Sequence, residues 1–394
     1  MMDRPLPAAP PQSPIPEVSI IVPARNEEAS LGDCLESLTA QTGVAFEIIV
    51  VDDGSTDRTR AIAQSFAGVR VISPGPAHEN WTGKNNAVVA GAKEAHANWL
   101  LFTDADTVHL PGSLARALNE AKNERADLLS YSPDQVVVTF AERAVMPVIF
   151  AELAAHYPPR KVRERSLGQS SGQSSGQSSG QSSGQSSGQS SEIVAANGQY
   201  ILVRRAAYDA LGGHAAVASE ILEDVALARL FCSAGLRVYF RYGGDAVRTR
   251  MYRNWAQLRE GWTKNLALLF PQPERLALQS LFLWFMAWAT LAIAASGAAS
   301  QHFVRIGFAA FWLLVYRRIR VAHFATANNL VAMAFGLPIF AYLLLRSEKA
   351  HANGQVLWKG RAYSTGAPGR SKPAEMQAAK PIPRIENQGL KTES

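Results

Sequence analysis

Four short apolar runs, separated by stretches of helical spacing, set the fold class of this 394-residue chain. They are Val18-Ser19-Ile20-Ile21-Val22, Phe46-Glu47-Ile48-Ile49-Val50-Val51, Val69-Arg70-Val71-Ile72 and Trp99-Leu100-Leu101-Phe102. Most are apolar at odd and even positions alike, as strands are when helices cover both faces of a parallel sheet. Leu31, Leu35 and Leu38 share one helical face, and residues 58–66 suit a second helix. Strand and helix alternating through short links predict an α/β fold, a doubly wound and mainly parallel sheet. Such sheets bind ligands beyond the carboxyl ends of their strands. Residues 23–28, 52–57 and 103–106 are therefore the first places to seek chemistry.

Asp104 and Asp106, one residue apart where the fourth run stops, can turn toward one divalent ion. Hard oxygen ligands suit Mg²⁺ or Mn²⁺ shared with substrate phosphates. Taken alone, the pair reads more simply as a solvated acidic turn. Residues 24–28 are expected to open the first helix. The loop 73–83 delivers Trp81-Thr82-Gly83-Lys84 to a helix over 86–96. There Lys84 is a pyrophosphate contact at a helix N-terminus or, on its own, a surface lysine; the spacing is not that of a P-loop. Helices over 111–122, 139–156 and 205–211 follow, with strands over 128–131, 195–203, 236–242 and 246–250. Gly198 marks a strand position where backbone can approach a ligand. Glu223 and Asp224 open an amphipathic helix, where Asp224 serves equally well as a cap. These elements are expected to form one catalytic domain over residues 18–268.

Charged residues are 18% of the chain and apolar ones 47%, but the apolar residues concentrate in the C-terminal third. Residues 276–296 carry no charge and are long enough to span a bilayer. Further apolar runs cover 303–316, interrupted by Arg305, and 325–345. Membrane-associated helices are thus expected over 274–346, followed by a basic cytoplasmic tail, 347–394. Three spans would leave that tail outside, against the positive-inside rule, so one run is expected to be interfacial or re-entrant. The net charge of +6 flanks these runs, which suits a membrane surface rather than nucleic acid. Cys34 and Cys232 offer neither a disulfide framework nor zinc spacing. Residues 1–17 read as a disordered Pro-rich leader without a signal peptide, and 168–191, Gly-Gln-Ser-Ser six times over, as a flexible insertion.

Together Val-Pro-Ala-Arg-Asn-Glu-Glu at 22–28, Val-Asp-Asp-Gly-Ser-Thr-Asp at 51–57, Asp-Ala-Asp at 104–106 and Glu-Asp at 223–224 resemble the inverting glycosyltransferases of family 2. Trp81-x-Gly-Lys84, Arg250-Met-Tyr252, Glu260-Gly-Trp-Thr-Lys264 and Trp358-Lys-Gly-Arg-x-Tyr363 look like its membrane-bound, carotenoid-type branch. The resemblance implies a GT-A, nucleotide-sugar-binding fold over residues 18–265. It implies that Pro23, Arg25 and Glu27 border the nucleotide, that Val51 and Asp53 hold the base, and that Lys84 touches the diphosphate. It places Asp104 and Ala105 on the ribose side and the metal on Asp106, with Asp104 as the second candidate ligand. Asp224 becomes the catalytic base, and Trp262 an acceptor-side or plain core tryptophan. The processive members carry Gln-x-x-Arg-Trp; here Gln257 is followed by Leu258-Arg259-Glu260-Gly261-Trp262, so transfer of one sugar is expected. The implied enzyme is a multi-pass membrane protein with a cytoplasmic catalytic domain, moving a hexose from a UDP-sugar to a carotenoid or other isoprenoid lipid. A polyprenyl-phosphate acceptor, with Arg116 and Arg125 available for its phosphate, is a second reading. A non-catalytic nucleotide-sugar-binding subunit is a third.

Overall fold

The computed structural model describes residues 16–78, 81–158, 194–296, 302–358 and 361–364. The Gly-Gln-Ser-Ser repeat, residues 1–15 and most of the tail lie outside the described residues. The chain begins β1 (Val18–Ala24), α1 (Leu31–Thr39), β2 (Phe46–Asp52), α2 (Thr59–Gln64), β3 (Val69–Ile72), α3 (Gly83–Glu94) and β4 (Trp99–Thr103). It continues through β5 (Thr107–His109), α4 (Ser113–Asn123), β6 (Leu128–Ser132), β7 (Asp134–Gln135) and α5 (Phe140–His156). After the insertion come β8 (Tyr200–Arg204), α6 (Arg205–Ala210), α7 (Glu223–Ser233), β9 (Val238–Tyr242) and β10 (Val247–Thr249). The helices α8 (Trp255–Leu269), α9 (Pro273–Ala295), α10 (His302–Arg320) and α11 (Thr326–Ala352) follow, and an antiparallel pair, β11 (Gln355–Trp358) and β12 (Arg361–Ser364), closes the series.

The main sheet has seven strands in the order β3-β2-β1-β4-β8-β6-β9. All neighbours are parallel except β8, which runs antiparallel to β4 and β6. Register aligns Ala24 with Asp52 and Ile21 with Phe102, so the carboxyl ends of β1, β2 and β4 lie side by side. Alternate residues serve opposite cores. Ile20, Val22, Val50 and Leu101 pack with Leu31, Leu35 and Leu118 on one face. Ile21, Ile49, Leu100 and Phe102 pack with Val88, Leu227 and Phe231 on the other. Both faces are dry, which explains the unbroken apolar runs.

The first helix starts at Leu31, later than residues 24–28 suggested. Asn26 has φ 53°, outside the helical region, because its loop is braced against the loop after β2. Its Oδ1 accepts from the Thr56 amide at 2.8 Å, and the Glu27 amide donates to Thr59 Oγ1 at 2.7 Å. α3 begins earlier than expected, at Gly83, because the Thr82 hydroxyl caps it by accepting from the Asn85 amide. β8 is shorter than expected, since 194–197 is loop.

A third core joins α5 and α8 to α9, α10 and α11 through Val145, Ile149, Trp262, Leu266, Ile319 and Phe340. Two helices, Pro273–Ala295 and Thr326–Ala352, are long and apolar enough to cross a membrane by length and composition. The run at 303–316 is helical within α10, but that helix carries Arg305 and ends in Arg317, Arg318 and Arg320.

Candidate active site

The carboxyl ends of β1, β2 and β4 open into a cavity of about 620 Å³. Pro23, Arg25, Glu27, Asp53, Lys84, Asp104, Ala105, Asp106, Gly198, Asp224 and Trp262 all line it. Val51 does not. It is fully buried among Ile21, Ile49 and Ala87, because the inward-facing position of β2 belongs to the core; only Asp53, one step past the strand end, reaches the cavity. Arg25 donates to the Asp53 carbonyl at 2.6 Å, and its guanidinium lies 3.9 Å from the Asp53 carboxylate. That contact ties the end of β1 to the end of β2.

The Asp104–Asp106 turn is pinned from below. Thr107 Oγ1 donates to the Asp104 carbonyl at 2.7 Å, and Thr249 Oγ1 to the Asp106 carbonyl at 3.2 Å. Buried Thr103 donates to the Gln199 carbonyl at 2.8 Å, fixing the strand end to the loop that carries Gly198. Backbone held this way presents both residues to the cavity. Among the described residues no three His, Cys, Asp or Glu side chains cluster to hold a metal unaided. Two carboxylate donors on one turn fit Mg²⁺ or Mn²⁺ when a diphosphate completes the shell.

Lys84 is not a surface lysine. From the first turn of α3 its Nζ sits 2.8 Å from Asp104 Oδ1 and 2.8 Å from Glu223 Oε1, joining two acidic segments far apart in sequence. Burial works against its charge, but the two carboxylates more than offset this and hold the ammonium well above its ordinary pKa. Glu223 is lowered in turn: burial opposes ionisation, and Lys84 and Lys264 outweigh it. Asp224 goes the other way. Burial and the Glu223 charge raise it above the usual carboxylate range, although the Gly198 amide (2.8 Å to Oδ2) and the Val225 amide (2.8 Å to Oδ1) favour its charge. It does not act as the N-cap, which is Leu222. A Cβ on Gly198 would lie 3.2 Å from Lys84 Nζ and 3.5 Å from Asp224 Cβ, so glycine lets this backbone approach both.

Away from the carboxylates the lining turns apolar, with Phe150 and Leu153 of α5, Tyr157 just beyond its end, Leu269 of α8, and Val321 and Ala322 after α10. Trp262 is both core and lining: it is 2% exposed and donates Nε1 to Met146 Sδ at 3.3 Å. Two sequence motifs meet here. A Cβ on Gly261 would fall 2.5 Å from the Tyr252 ring, so the glycine lets Tyr252 pack against α8, and Arg250 reaches Glu142, which completes the capping box of Thr139 at the start of α5. Lys264, present in the sequence motif but not among the expected site residues, lines the cavity, and burial lowers its pKa. A lysine beside Trp262 on a largely buried helix was the available signal. The partnership of Glu223 with Lys84 left no local trace.

Residues 19–175 match the family described as Glycosyl transferase family 2. The chain is 28% identical over 367 residues to the 4,4'-diaponeurosporenoate glycosyltransferase of Staphylococcus aureus strain MRSA252, covering 88% of each. It is also similar to a solved mannosyltransferase of Pyrobaculum calidifontis in complex with GDP-Man and Mn²⁺, at TM-score 0.45 and 17% identity, covering 88% of this chain and 90% of that one. Another similar structure is the glucosyl-3-phosphoglycerate synthase of Mycobacterium tuberculosis with Mn²⁺, UDP-glucose and phosphoglyceric acid, at TM-score 0.40 and 19% identity, covering 64% and 80%. The chain carries a family 2 glycosyltransferase domain on a mixed α/β, mainly parallel sheet.

Proposed function

We propose that this family 2 glycosyltransferase moves a single sugar from a nucleotide sugar, a UDP-hexose, to a lipid of isoprenoid or carotenoid type at a membrane, with inversion at the anomeric carbon. One observation carries the reading: a single cavity joins a row of carboxylates at strand ends to an apolar arm built from helices of the third core. The Staphylococcus aureus relative, named for a carotenoid acid, supports the acceptor class. The helices Pro273–Ala295 and Thr326–Ala352 support a membrane setting; in this reading the catalytic domain faces the cytoplasm.

In this reading Arg25 and Asp53 border the base, and Asp104 and Lys84 face the ribose and diphosphate. Mg²⁺ or Mn²⁺ held by Asp106, with Asp104 beside it, would neutralise charge on the departing diphosphate as a Lewis acid. The acceptor oxygen attacks the anomeric carbon as the bond to the diphosphate oxygen breaks. Asp224 takes the acceptor proton when the acceptor is a hydroxyl; an ionised carboxylate brings no proton. A retaining double displacement needs a nucleophilic carboxylate besides the base, and Glu223 is engaged with Lys84. Arg116 turns to the carbonyls of Pro111 and Asp245, and neither it nor Arg125 lines the cavity, which disfavours a polyprenyl phosphate. Deleting the gene and profiling lipids by mass spectrometry tests the reading. A hexosyl lipid should disappear while its aglycone accumulates; an unchanged lipid profile would contradict it.

A further inference from the structure

Outside the active-site cavity, a second hollow of about 380 Å³ lies between α5, α9, α10 and α11. Buried Val315, Ile319 and Leu337 line it, with half-buried Leu283 and with Leu314, which is 66% exposed. One ion pair interrupts these apolar walls. Glu152, 4% exposed, accepts from Arg318 Nε at 2.9 Å and Nη2 at 2.6 Å through the same oxygen, Oε1. Its other oxygen, Oε2, is buried and has no hydrogen-bond partner among the described residues. A buried carboxylate oxygen is stable only when a donor reaches it. The Arg318 side chain remains 53% exposed, so its guanidinium can meet an anion without leaving Glu152.

The hollow therefore offers apolar walls, a cation for an anionic group, and an acceptor oxygen lacking a donor. Arg317 and Arg320 share the last turn of α10 with Arg318 and add positive charge of the kind that draws anionic headgroups. One wall, α9, is long and apolar enough to span a bilayer. An ion pair set among apolar helices beside a membrane segment points to a ligand-binding role more than to stability.

We propose that this hollow binds a bilayer phospholipid whose headgroup carries an N–H donor beside its phosphate, of the ethanolamine type. The phosphate meets Arg318, the ammonium donates to Glu152 Oε2, and an acyl chain lies along Leu314, Val315 and Leu337. The site is separate from the catalytic cavity and does not take part in transfer.

The test is native mass spectrometry of the full chain released from nanodiscs containing phosphatidylethanolamine and phosphatidylcholine in equal amounts. Choline has no N–H donor. One retained lipid per chain is expected, with phosphatidylethanolamine favoured roughly fivefold to tenfold, as one charge-assisted hydrogen bond allows. Glu152→Gln should bring that preference close to one. Leu314→Asp, at an exposed position that tolerates change, should lose the retained lipid while UDP binding stays within twofold of wild type, showing a folded donor site. Equal retention of the two lipids by the wild type, or retention unchanged in Leu314→Asp, would overturn the proposal.

Discussion

Two acidic pairs face the same cavity and are built in opposite ways. Asp104 and Asp106 hang from a strand end whose backbone is fixed by neutral threonine hydroxyls, and the Asp104 side chain keeps 28% of its exposure. Glu223 and Asp224 sit in the first turn of α7, where Lys84 pulls Glu223 down, while burial and the Glu223 charge push Asp224 up. Identical chemical groups thus receive different protonation from their surroundings, the usual way a site obtains both a charge-holding carboxylate and a base. Lys84 connects the pairs at 2.8 Å to each, so the comparison can be tested by changing one pair and reading the other.

The largest expected effect falls on the first pair. Asp106→Ala should reduce transfer to background even at high Mg²⁺ or Mn²⁺, measured as labelled product; retained activity would remove Asp106 from the metal shell. On the second pair, Asp224→Asn should lower kcat roughly 10²–10⁴-fold, the usual worth of a general base. A loss under tenfold would mean that the acceptor is already an ionised carboxylate and that the two pairs are not equal partners.

The first pair was readable from sequence and the second only partly. An apolar run ending in Asp-Ala-Asp announces a strand end by local pattern, and the alternating faces of β1, β2 and β4 followed from unbroken apolarity. Local pattern leaves Asp224 equally a helix cap or a base, because the meaning of Glu223 and Asp224 depends on Lys84 and Gly198, brought close only by the fold. For the same reason local pattern leaves Lys84 open between a diphosphate contact and a surface lysine, and Val51, two positions before Asp53, is expected at the base although it still lies within β2 and packs into the core. The antiparallel entry of β8 was invisible too, since nothing local encodes the direction of a strand reached after a long insertion.

A smaller effect concerns pH. The Asp224 carboxyl is raised to about 6, so its basic form is lost as pH falls through that value, and kcat should drop on the acid side. Glu223→Gln removes the negative neighbour that raises it, and the acid limb should move to lower pH; an unmoved limb would show that the pairs titrate independently. Smallest of all, deletion of residues 168–191 should leave activity within about threefold, because a loop of that composition contributes no core and its closure entropy changes slowly with length. A folded but inactive deletion variant would show that the insertion serves the site.

The most direct test of the account combines both pairs and the apolar arm. The full chain in nanodiscs, given radiolabelled UDP-glucose or another UDP-hexose and a lipid extract, should place label in the organic phase. EDTA should abolish that label, and Mg²⁺ or Mn²⁺ should restore it for the wild type but not for Asp106→Ala. Absence of metal-dependent label in lipid with several donors would contradict the account.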